Sequence, residues 1–481
     1  MTIVDPARSQ AAGLAAASTH GVSATPEAWR AVALGVLVGG VLVGDRAAGH
    51  RGLGRVLSLL AGGAALSTIP IALASRRPPI EPGAVPLDPG ASPPTMSVII
   101  AARDEAAVLP RLIRDIAEQD YRTDGGQPMF ELILVDDRSV DGTAQAALRA
   151  AAGAGIGETT RLIRRGAGTD LATLADGKGA ALTAAQPDIC HGDIVVVLDA
   201  DARVGPSFLR TIASYISAGA DALTCRRRIA GAREDDLAGA QADEQTIDGE
   251  LQRGRWALGG CSELRGDGIV VRRDLLERVG GWRAEALTED LELSSRLAAL
   301  EGIRVAWAID AQVWEEPVAD WQSLWRQRLR WAEGSIRRTL EHGLAVVRSP
   351  RLSPAARLDF AAYAGQLAMP PVILGSLIGG LRRGRVGLPR RLLTLYVVAA
   401  AGLGWDALRW EHDEAGQPLP VGERARRAVR AAAFGAIWLA AVPVALWRLA
   451  MRDGAVQYDK MDHGPAEGRL PGEVGPAVDE R

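Results

Sequence analysis

Residues 193–201 read Asp-Ile-Val-Val-Val-Leu-Asp-Ala-Asp, and this run is the most informative part of the chain. Five consecutive apolar residues between charged ones are typical of a strand whose two faces are both buried. Such strands belong to parallel sheets covered by helices, in which ligands bind at the carboxyl ends of the strands. The run therefore predicts an α/β fold and places Asp199 and Asp201 at the edge where a site is expected.

Strand-like and helix-like segments alternate on both sides of this run. Strand patterns occupy 97–101, 131–135, 161–164 and 193–198, and helical patterns occupy 105–118, a stretch from 141, and 179–185. Alternation at this spacing is typical of βαβ units. We expect a doubly wound, mainly parallel sheet in a domain of residues 96–345.

Acidic residues stand where successive predicted strands end. Asp136 and Asp137 follow one strand, and Asp199 and Asp201 follow another. In a bare pocket these carboxylates would repel one another, so they favour a bound cation together with a ribose or a uracil. Alternate residues of an extended segment project to the same side, so Asp199 and Asp201 can face one Mg²⁺ or Mn²⁺ that bridges a diphosphate. Each cluster alone is equally well explained by helix capping or a solvated surface.

Three further segments carry candidate binding residues. Lys178 follows a glycine turn, where it would counter a diphosphate or contact a base, or else be a plain surface lysine. Gly266-Asp267-Gly268 supplies bends that are common in sugar pockets. Thr288-Glu289-Asp290 opens an amphipathic helix over 291–299, although an N-cap threonine and first-turn acids are also what a helix dipole favours.

Residues 327–331 read Gln-Arg-Leu-Arg-Trp within a predicted helix. Gln327, Arg330 and Trp331 stand at i, i+3 and i+4, and so share one face. An amide for hydroxyls, a cation for a leaving diphosphate and a ring for a sugar face form a coherent binding set. The alternative is a basic amphipathic helix at a membrane surface.

The composition argues against two classes of function. The net charge is −3, from 55 Lys and Arg and 58 Asp and Glu, so there is no basic excess for binding phosphate backbones. We therefore expect no nucleic-acid partner. The three cysteines and six histidines are scattered, which gives little support to a zinc site or a disulfide framework.

Apolar blocks near both ends predict helices that cross a membrane, with lipids as partners. Residues 30–77 hold two blocks, of which 56–75 is long enough for a hydrocarbon core of roughly 30 Å. The alternative is a buried helical hairpin in a soluble protein. Residues 346–452 hold an interfacial segment and two to three further spans.

The segments between and beyond these blocks have the character of linkers and tails. We expect a flexible tail at 1–29, a proline-rich linker at 78–95 and a polar tail at 453–481. Five arginines between 382 and 391 resist export, so the favoured arrangement keeps that loop cytoplasmic and leaves 358–381 at the interface. The alternative has three C-terminal crossings. Either way, we predict a multi-pass protein of the cell membrane with a cytoplasmic central domain.

The region 97–331 resembles the inverting family 2 glycosyltransferases, in particular membrane-embedded cellulose, hyaluronan and poly-N-acetylglucosamine synthases. The resemblance rests on five motifs in the family's order: Asp136-Asp137, Lys178, Asp199-x-Asp201, Thr288-Glu289-Asp290 and Gln327-x-x-Arg330-Trp331. It implies a GT-A-like fold that binds a nucleotide sugar. Asp136 or Asp137 would hold the uridine, and Asp199 and Asp201 would hold the diphosphate and a Mg²⁺ or Mn²⁺ ion.

The resemblance also implies roles for the remaining motif residues. Asp290 would be the general base. The other donor-binding residues would be Lys178, Gln327, Arg330 and Trp331, and the acceptor-binding residues would be Gly266, Asp267, Glu289 and Trp331.

The expected function is inverting transfer of a sugar from a nucleotide sugar, expected to be UDP-linked, to a growing polysaccharide at the cytoplasmic membrane face. Export or accessory subunits would then be potential partners. One alternative is a single addition to a lipid or polyprenol-linked acceptor, and another is a catalytically silent membrane scaffold. Product length separates the first two hypotheses, and release of UDP would exclude the third.

Overall fold

The computed structural model describes residues 2–4, 26–77, 93–166, 177–185, 189–231, 237–412 and 416–451. The expected C-terminal tail from 453 and most of the expected linker lie outside the described residues. Of the expected N-terminal tail, the described parts are Thr2–Val4, which form a strand, and 26–29, which begin the first helix.

Within these ranges the strands are β1 (Thr2–Val4), β2 (Met96–Ala102), β3 (Phe130–Asp137), β4 (Thr160–Arg165), β5 (Ile194–Asp199), β6 (Arg203–Val204), β7 (Ala222–Ile229), β8 (Ile269–Arg272) and β9 (Ala306–Glu315). The helices are α1 (Pro26–Gly49), α2 (Arg51–Ala74), α3 (Leu109–Ala117), α4 (Thr143–Gly153), α5 (Lys178–Thr183), α6 (Phe208–Ser217), α7 (Leu237–Ala257), α8 (Arg273–Arg278), α9 (Glu289–Arg296), α10 (Trp321–Arg348), α11 (Pro354–Gly365), α12 (Met369–Arg382), α13 (Gly387–Ala407), α14 (Val421–Gly435) and α15 (Ile437–Met451).

The described strands form one sheet in the order β1-β4-β3-β2-β5-β8-β7-β9-β6. Eight of them belong to the central region, and β1 adds a short parallel strand from the N-terminus. Strand β2 pairs in parallel with both β3 and β5, so that Ala102 faces Asp136 and Ala101 faces Asp199. The carboxyl ends of these three strands therefore meet at one edge. The predicted α/β class with a mainly parallel sheet is confirmed.

Both faces of the central strands are buried, as the apolar runs predict. Val196 and Leu198 of β5 lie in the core on one face, together with helices α3, α4 and α6. Val195 and Val197 lie in the core on the other face, with α5 and α9. Each side chain of the run thus contributes about 1.5–3 kcal/mol by leaving water. This burial fixes the strand ends that carry the acids.

Five helical segments of the described chain are long and apolar enough to cross a membrane: Glu27–Gly49, Arg51–Ala74, Pro354–Arg382, Gly387–Trp410 and Val421–Met451. Two precede the central domain and three follow it. The chain therefore has the character of a membrane protein.

Helices α1 and α12 pack with their backbones in close approach. A Cβ atom added at Gly44 would lie 2.5 Å from the backbone nitrogen of Ser376, and one at Gly40 would lie 2.7 Å from Cβ of Pro371. Van der Waals packing of small residues is the usual basis of helix association in lipid, because lipid tails remove the hydrophobic driving force.

The turn between α1 and α2 lies beside the turn between α12 and α13. Arg383 pairs with Asp45 at 2.9 Å, and Arg385 donates to the carbonyl of Gly49 at 3.3 Å. The other end of α2 adjoins α7, where Arg253 donates to the carbonyl of Arg77. Because α2 has 24 residues, the two ends are about 36 Å apart.

Helix α12 therefore ends beside the turn between α1 and α2, where Arg383 pairs with Asp45. The five apolar segments are identified by length and composition alone, so the number of C-terminal crossings and the side of the arginine-rich loop stay predictions.

The close approach of α1 and α12 predicts that Gly44→Ala destabilises the protein by about 1–3 kcal/mol, because the added methyl group has no room. Thermal unfolding in detergent, followed by tryptophan fluorescence, measures the effect. Gly39→Ala is the matched control in the same helix, since an added Cβ meets nothing within 4 Å there. Equal midpoints for the two variants would contradict the packing described.

Candidate active site

A cavity of about 880 Å³ opens at the carboxyl ends of β2, β3 and β5. Ten of the residues predicted to form the site line it: Asp137, Lys178, Asp199, Asp201, Gly266, Glu289, Asp290, Gln327, Arg330 and Trp331. Asp136 and Asp267 lie outside the lining. Segments separated by up to about two hundred residues thus converge on one space, at the edge of the sheet where ligands of α/β folds bind.

Asp199 and Asp201 border this cavity at the end of β5, and the side chain of Asp199 is 37% exposed. Their oxygens are hard ligands, which suit Mg²⁺ or Mn²⁺ rather than zinc. No group of three or more His, Cys, Asp or Glu side chains suited to a metal occurs among the described residues. Two carboxylates are nevertheless an ordinary protein contribution to a magnesium site, which is completed by substrate phosphates and water. The residues therefore fit a divalent ion.

Lys178 connects three of the segments that border the cavity. Its Nζ atom donates to the carbonyl of Gly266 at 2.6 Å, pairs with Asp199, and lies 3.4 Å from Oε1 of Glu289. Burial would lower the pKa of Lys178, but the carboxylates of Asp199 and Glu289 raise it above its usual value. The three donors of the ammonium group are thus directed at protein atoms, which holds the strand end, the loop and the start of α9 together.

The structure separates the two acids at the end of β3. Asp137 lines the cavity and is paired with Arg165 at 2.7 Å and Arg138 at 2.9 Å. Asp136 accepts the backbone N–H of Ser139 at 3.2 Å and pairs with Arg164 at 3.4 Å. Asp136 thus stabilises the turn after β3, whereas Asp137 is positioned to meet a ligand.

Asp267 is fully buried beneath the cavity. Its Oδ1 atom accepts the backbone N–H groups of Asp199 at 3.0 Å and Gly268 at 2.9 Å. Burial and the nearby carboxylate of Asp199 raise the pKa of Asp267 well above its usual range. The contacts are those of a residue that orients Asp199. The sequence predicts that Asp267 contacts an acceptor. In the structure Asp267 does not line the cavity, so this position gives that role no support.

Asp290 lies in the first turn of α9 and faces the cavity close to Gly266, where an added Cβ would be 3.8 Å from its Oδ2 atom. Burial raises the pKa of Asp290, while the backbone N–H of Leu291 and the guanidinium group of Arg265 offset part of the rise. A carboxylate with a raised pKa holds a proton more firmly and is a better general base near neutral pH.

Thr288 occupies the N-cap position of α9, as predicted, but its side chain makes no capping hydrogen bond. The side chain packs instead on Gly334 of α10, where an added Cβ would lie 2.5 Å from Oγ1 of Thr288. The absence of a side chain at Gly334 thus allows α10 to approach the loop that carries Asp290.

Helix α10 presents Gln327, Arg330 and Trp331 to the cavity, so the predicted common face is observed. The intervening Arg328 was not predicted. It is almost completely buried, pairs with Glu244 of α7, and places its guanidinium carbon 4.3 Å from the centre of the Trp331 ring. The Trp331 ring is therefore held in position by a cation–π contact.

Two further arginines, Arg227 and Arg265, line the cavity beside the acids, and no sequence pattern predicts them. Arg227 lies just after a register shift between β7 and β9 and pairs with Glu315, donating to Oε2 at 2.6 Å. Arg265 donates to Asp248 with two nitrogens, at 2.6 and 2.9 Å. Runs such as Arg226-Arg227-Arg228 and the single Arg265 carry no distinctive spacing, so the sequence offered no signal for them.

Comparison with known proteins gives one family and several related enzymes. The family model described as "Glycosyltransferase like family 2" matches residues 93–334. A beta-monoglucosyldiacylglycerol synthase of Synechocystis sp. is 30% identical over 381 residues, which cover 78% of this chain and 76% of that protein. An enzyme of the same name from Trichormus variabilis is 34% identical over 250 residues, which cover 52% of this chain and 50% of that protein.

A solved structure also resembles the chain. It is a mannosyltransferase from Pyrobaculum calidifontis in complex with GDP-Man and Mn²⁺, with 20% sequence identity and a TM-score of 0.49. The match covers 87% of this chain and 98% of that protein.

The contact between Thr288 and Gly334 predicts that Gly334→Ala displaces the loop of Asp290 and lowers the rate of sugar transfer about tenfold or more. A tenfold loss corresponds to an increase of about 1.4 kcal/mol in the activation free energy. Gly343→Ala is the matched control in α10, because its added Cβ would meet Thr339 and Phe360 at ordinary distances of 3.5 and 3.7 Å. Steady-state rates of both variants, with unfolding midpoints to verify folding, provide the measurement. Equal rates would show that the approach is not required.

Proposed function

Because the chain belongs to family 2 of the glycosyltransferases, we propose that it transfers one hexosyl group from a nucleotide sugar to the hydroxyl group of a diacylglycerol-type lipid. The donor is proposed to be UDP-linked. The acceptor would reach the site from the membrane in which the helices lie. The product would be a glycolipid with a single sugar.

The observation that carries this proposal is the extent of the cavity. The same space that holds Asp199 and Asp290 is also lined by Ala64 of α2, Ala400 of α13 and Leu439 of α15. Polar groups for a sugar nucleotide and an apolar surface for a lipid therefore share one cavity. An acceptor that is polar at one end and apolar at the other matches both parts.

The relatives support the lipid acceptor over a polysaccharide. Their names describe the addition of one glucose to diacylglycerol. Of the expectations drawn from the sequence, the single-addition alternative thus has better support than the processive polysaccharide synthase. The cavity brings acids and arginines from several segments together, which a catalytically silent scaffold would not require. The scaffold hypothesis therefore has no support.

In the proposed donor site, Asp137 binds the uridine, and Arg330 with Gln327 contacts the diphosphate. Asp199 and Asp201 would hold a Mg²⁺ or Mn²⁺ ion, which would stabilise negative charge on the leaving nucleoside diphosphate. Lys178 maintains Asp199 in place through their ion pair. Asp267 orients the backbone of Asp199 from below.

In the proposed acceptor site, the lipid hydroxyl lies between Asp290 and the anomeric carbon of the donor. Asp290 takes the proton of the hydroxyl as the new C–O bond forms and the bond to the diphosphate breaks. Displacement in a single step inverts the anomeric centre, so an α-linked donor gives a β-linked product. We place this reaction on the cytoplasmic face of the cell membrane.

The role of Asp290 predicts that Asp290→Asn lowers the transfer rate by about 10²–10⁴-fold, because an amide cannot accept the proton. Binding of UDP, measured by calorimetry, should be retained within experimental error. Asp274→Asn changes an exposed acid paired with Arg278 and is the control. A variant Asp290→Asn with full activity would remove this residue from the role of base.

The proposed reaction is tested with purified protein in nanodiscs, a panel of UDP-sugars, diacylglycerol, and Mg²⁺ or Mn²⁺. We expect release of UDP with one of the sugars and a lipid product that is heavier by a single hexose in the mass spectrum. A ladder of oligosaccharides would contradict single addition and favour the polysaccharide alternative. Absence of UDP release with every donor would contradict the proposed enzyme activity.

A further inference from the structure

Beyond the acids, the cavity continues between the apolar helices. We call this part the apolar arm and define it by six lining residues, two from α2, two from α13 and one each from α14 and α15: Ala61, Ala64, Leu395, Ala400, Gly435 and Leu439. Its walls come from segments that are long and apolar enough to cross a membrane. The arm is thus bordered by α2, α13, α14 and α15.

The depth of the arm follows from the positions of its lining residues. On α2 the lining extends from Ile71 to Ala61, which are about 15 Å apart along the helix axis. Ile71 marks the end near the central domain, since an added Cβ at Gly254 of α7 would lie 2.9 Å from its carbonyl carbon. The arm therefore leads away from the acids through about half of a hydrocarbon core of roughly 30 Å.

Polar side chains line the same cavity as the arm and the acids. Trp438 donates its indole N–H to Oε1 of Glu244 at 2.9 Å, and the hydroxyl of Tyr363 accepts from Arg265 at 3.3 Å. All four residues line the cavity together with Asp290. The cavity thus offers polar groups for the hydroxyl and ester groups of a glycerolipid and apolar groups for an acyl chain.

We infer that the apolar arm holds one acyl chain of the acceptor and that Ala61 and Ala64, at its far end, limit the length of chain that is accepted. This inference rests on the proposed function. A chain gains little by moving from lipid into an equally apolar arm, because both environments exclude water. Steric fit within the arm therefore determines which acceptors react, and the arm provides selectivity more than affinity.

The test compares two acceptors, dioctanoylglycerol and dioleoylglycerol, in nanodiscs with the active donor. Ala64→Trp on α2 and Ala400→Trp on the facing α13 each place a large ring in the arm. We expect kcat/KM for the long-chain acceptor to fall by about tenfold or more relative to the short-chain acceptor, which corresponds to about 1.4 kcal/mol. Release of UDP in the presence of the short-chain acceptor should persist.

Leu60→Trp is the matched control, because Leu60 is 64% exposed on the same helix and does not line the cavity. Its ratio of long-chain to short-chain transfer should equal that of the wild type. If a tryptophan variant fails to fold, Ala64→Leu and Ala400→Leu replace it and should give a smaller change in the same direction. Unchanged ratios in folded variants would overturn the inference about the arm, whereas failure of the wild type with both lipids would overturn the proposed function instead.

Discussion

The ion pairs of Lys178 are the interaction on which the site depends. Carboxylates from β5 and α9 meet around one cavity, and two like charges 4 Å apart repel by roughly 4 kcal/mol at an effective dielectric constant of 20. Lys178 compensates this repulsion by pairing with Asp199 and Glu289 while it donates to the carbonyl of Gly266. One ammonium group thus fixes the relative positions of three distant segments. Burial raises the pKa of Glu289, and the ammonium group of Lys178 offsets part of that rise, which favours the close approach of these acids.

A second set of ion pairs connects the central domain to the apolar helices. Asp243 of α7 pairs with Arg427 and Arg430 of α14, and Glu411 pairs with Arg226 and Arg228 of β7. Removing one partner from a buried pair leaves an uncompensated charge and costs about 3–5 kcal/mol. These pairs therefore hold the domain in one orientation on the bundle. Because of them, the acids and the apolar arm can share a single cavity instead of forming two separate sites.

Much of the fold could be predicted because local patterns encode it. The apolar run of β5 and the acids that follow it identify a buried parallel strand and its functional end. The partners of those acids could not be predicted in the same way. The sequence does not distinguish Asp136 from its neighbour Asp137, since only the turn after β3 decides which one faces the cavity. Likewise, no sequence pattern indicates that Arg328 is buried against Trp331, or that Arg383 pairs with Asp45, more than three hundred residues away.

In the proposed enzyme, one cavity joins a nucleotide-sugar site to a lipid site. The most direct test is a cryo-EM structure of the protein in nanodiscs with UDP, Mn²⁺ and dioleoylglycerol. We expect density for the nucleotide beside Asp137 and Asp199, for the glycerol hydroxyl within hydrogen-bond reach of Asp290, and for an acyl chain between α2 and α13. Lipid bound only on the outer surface of the bundle, with the acids on separate surfaces, would contradict a shared cavity.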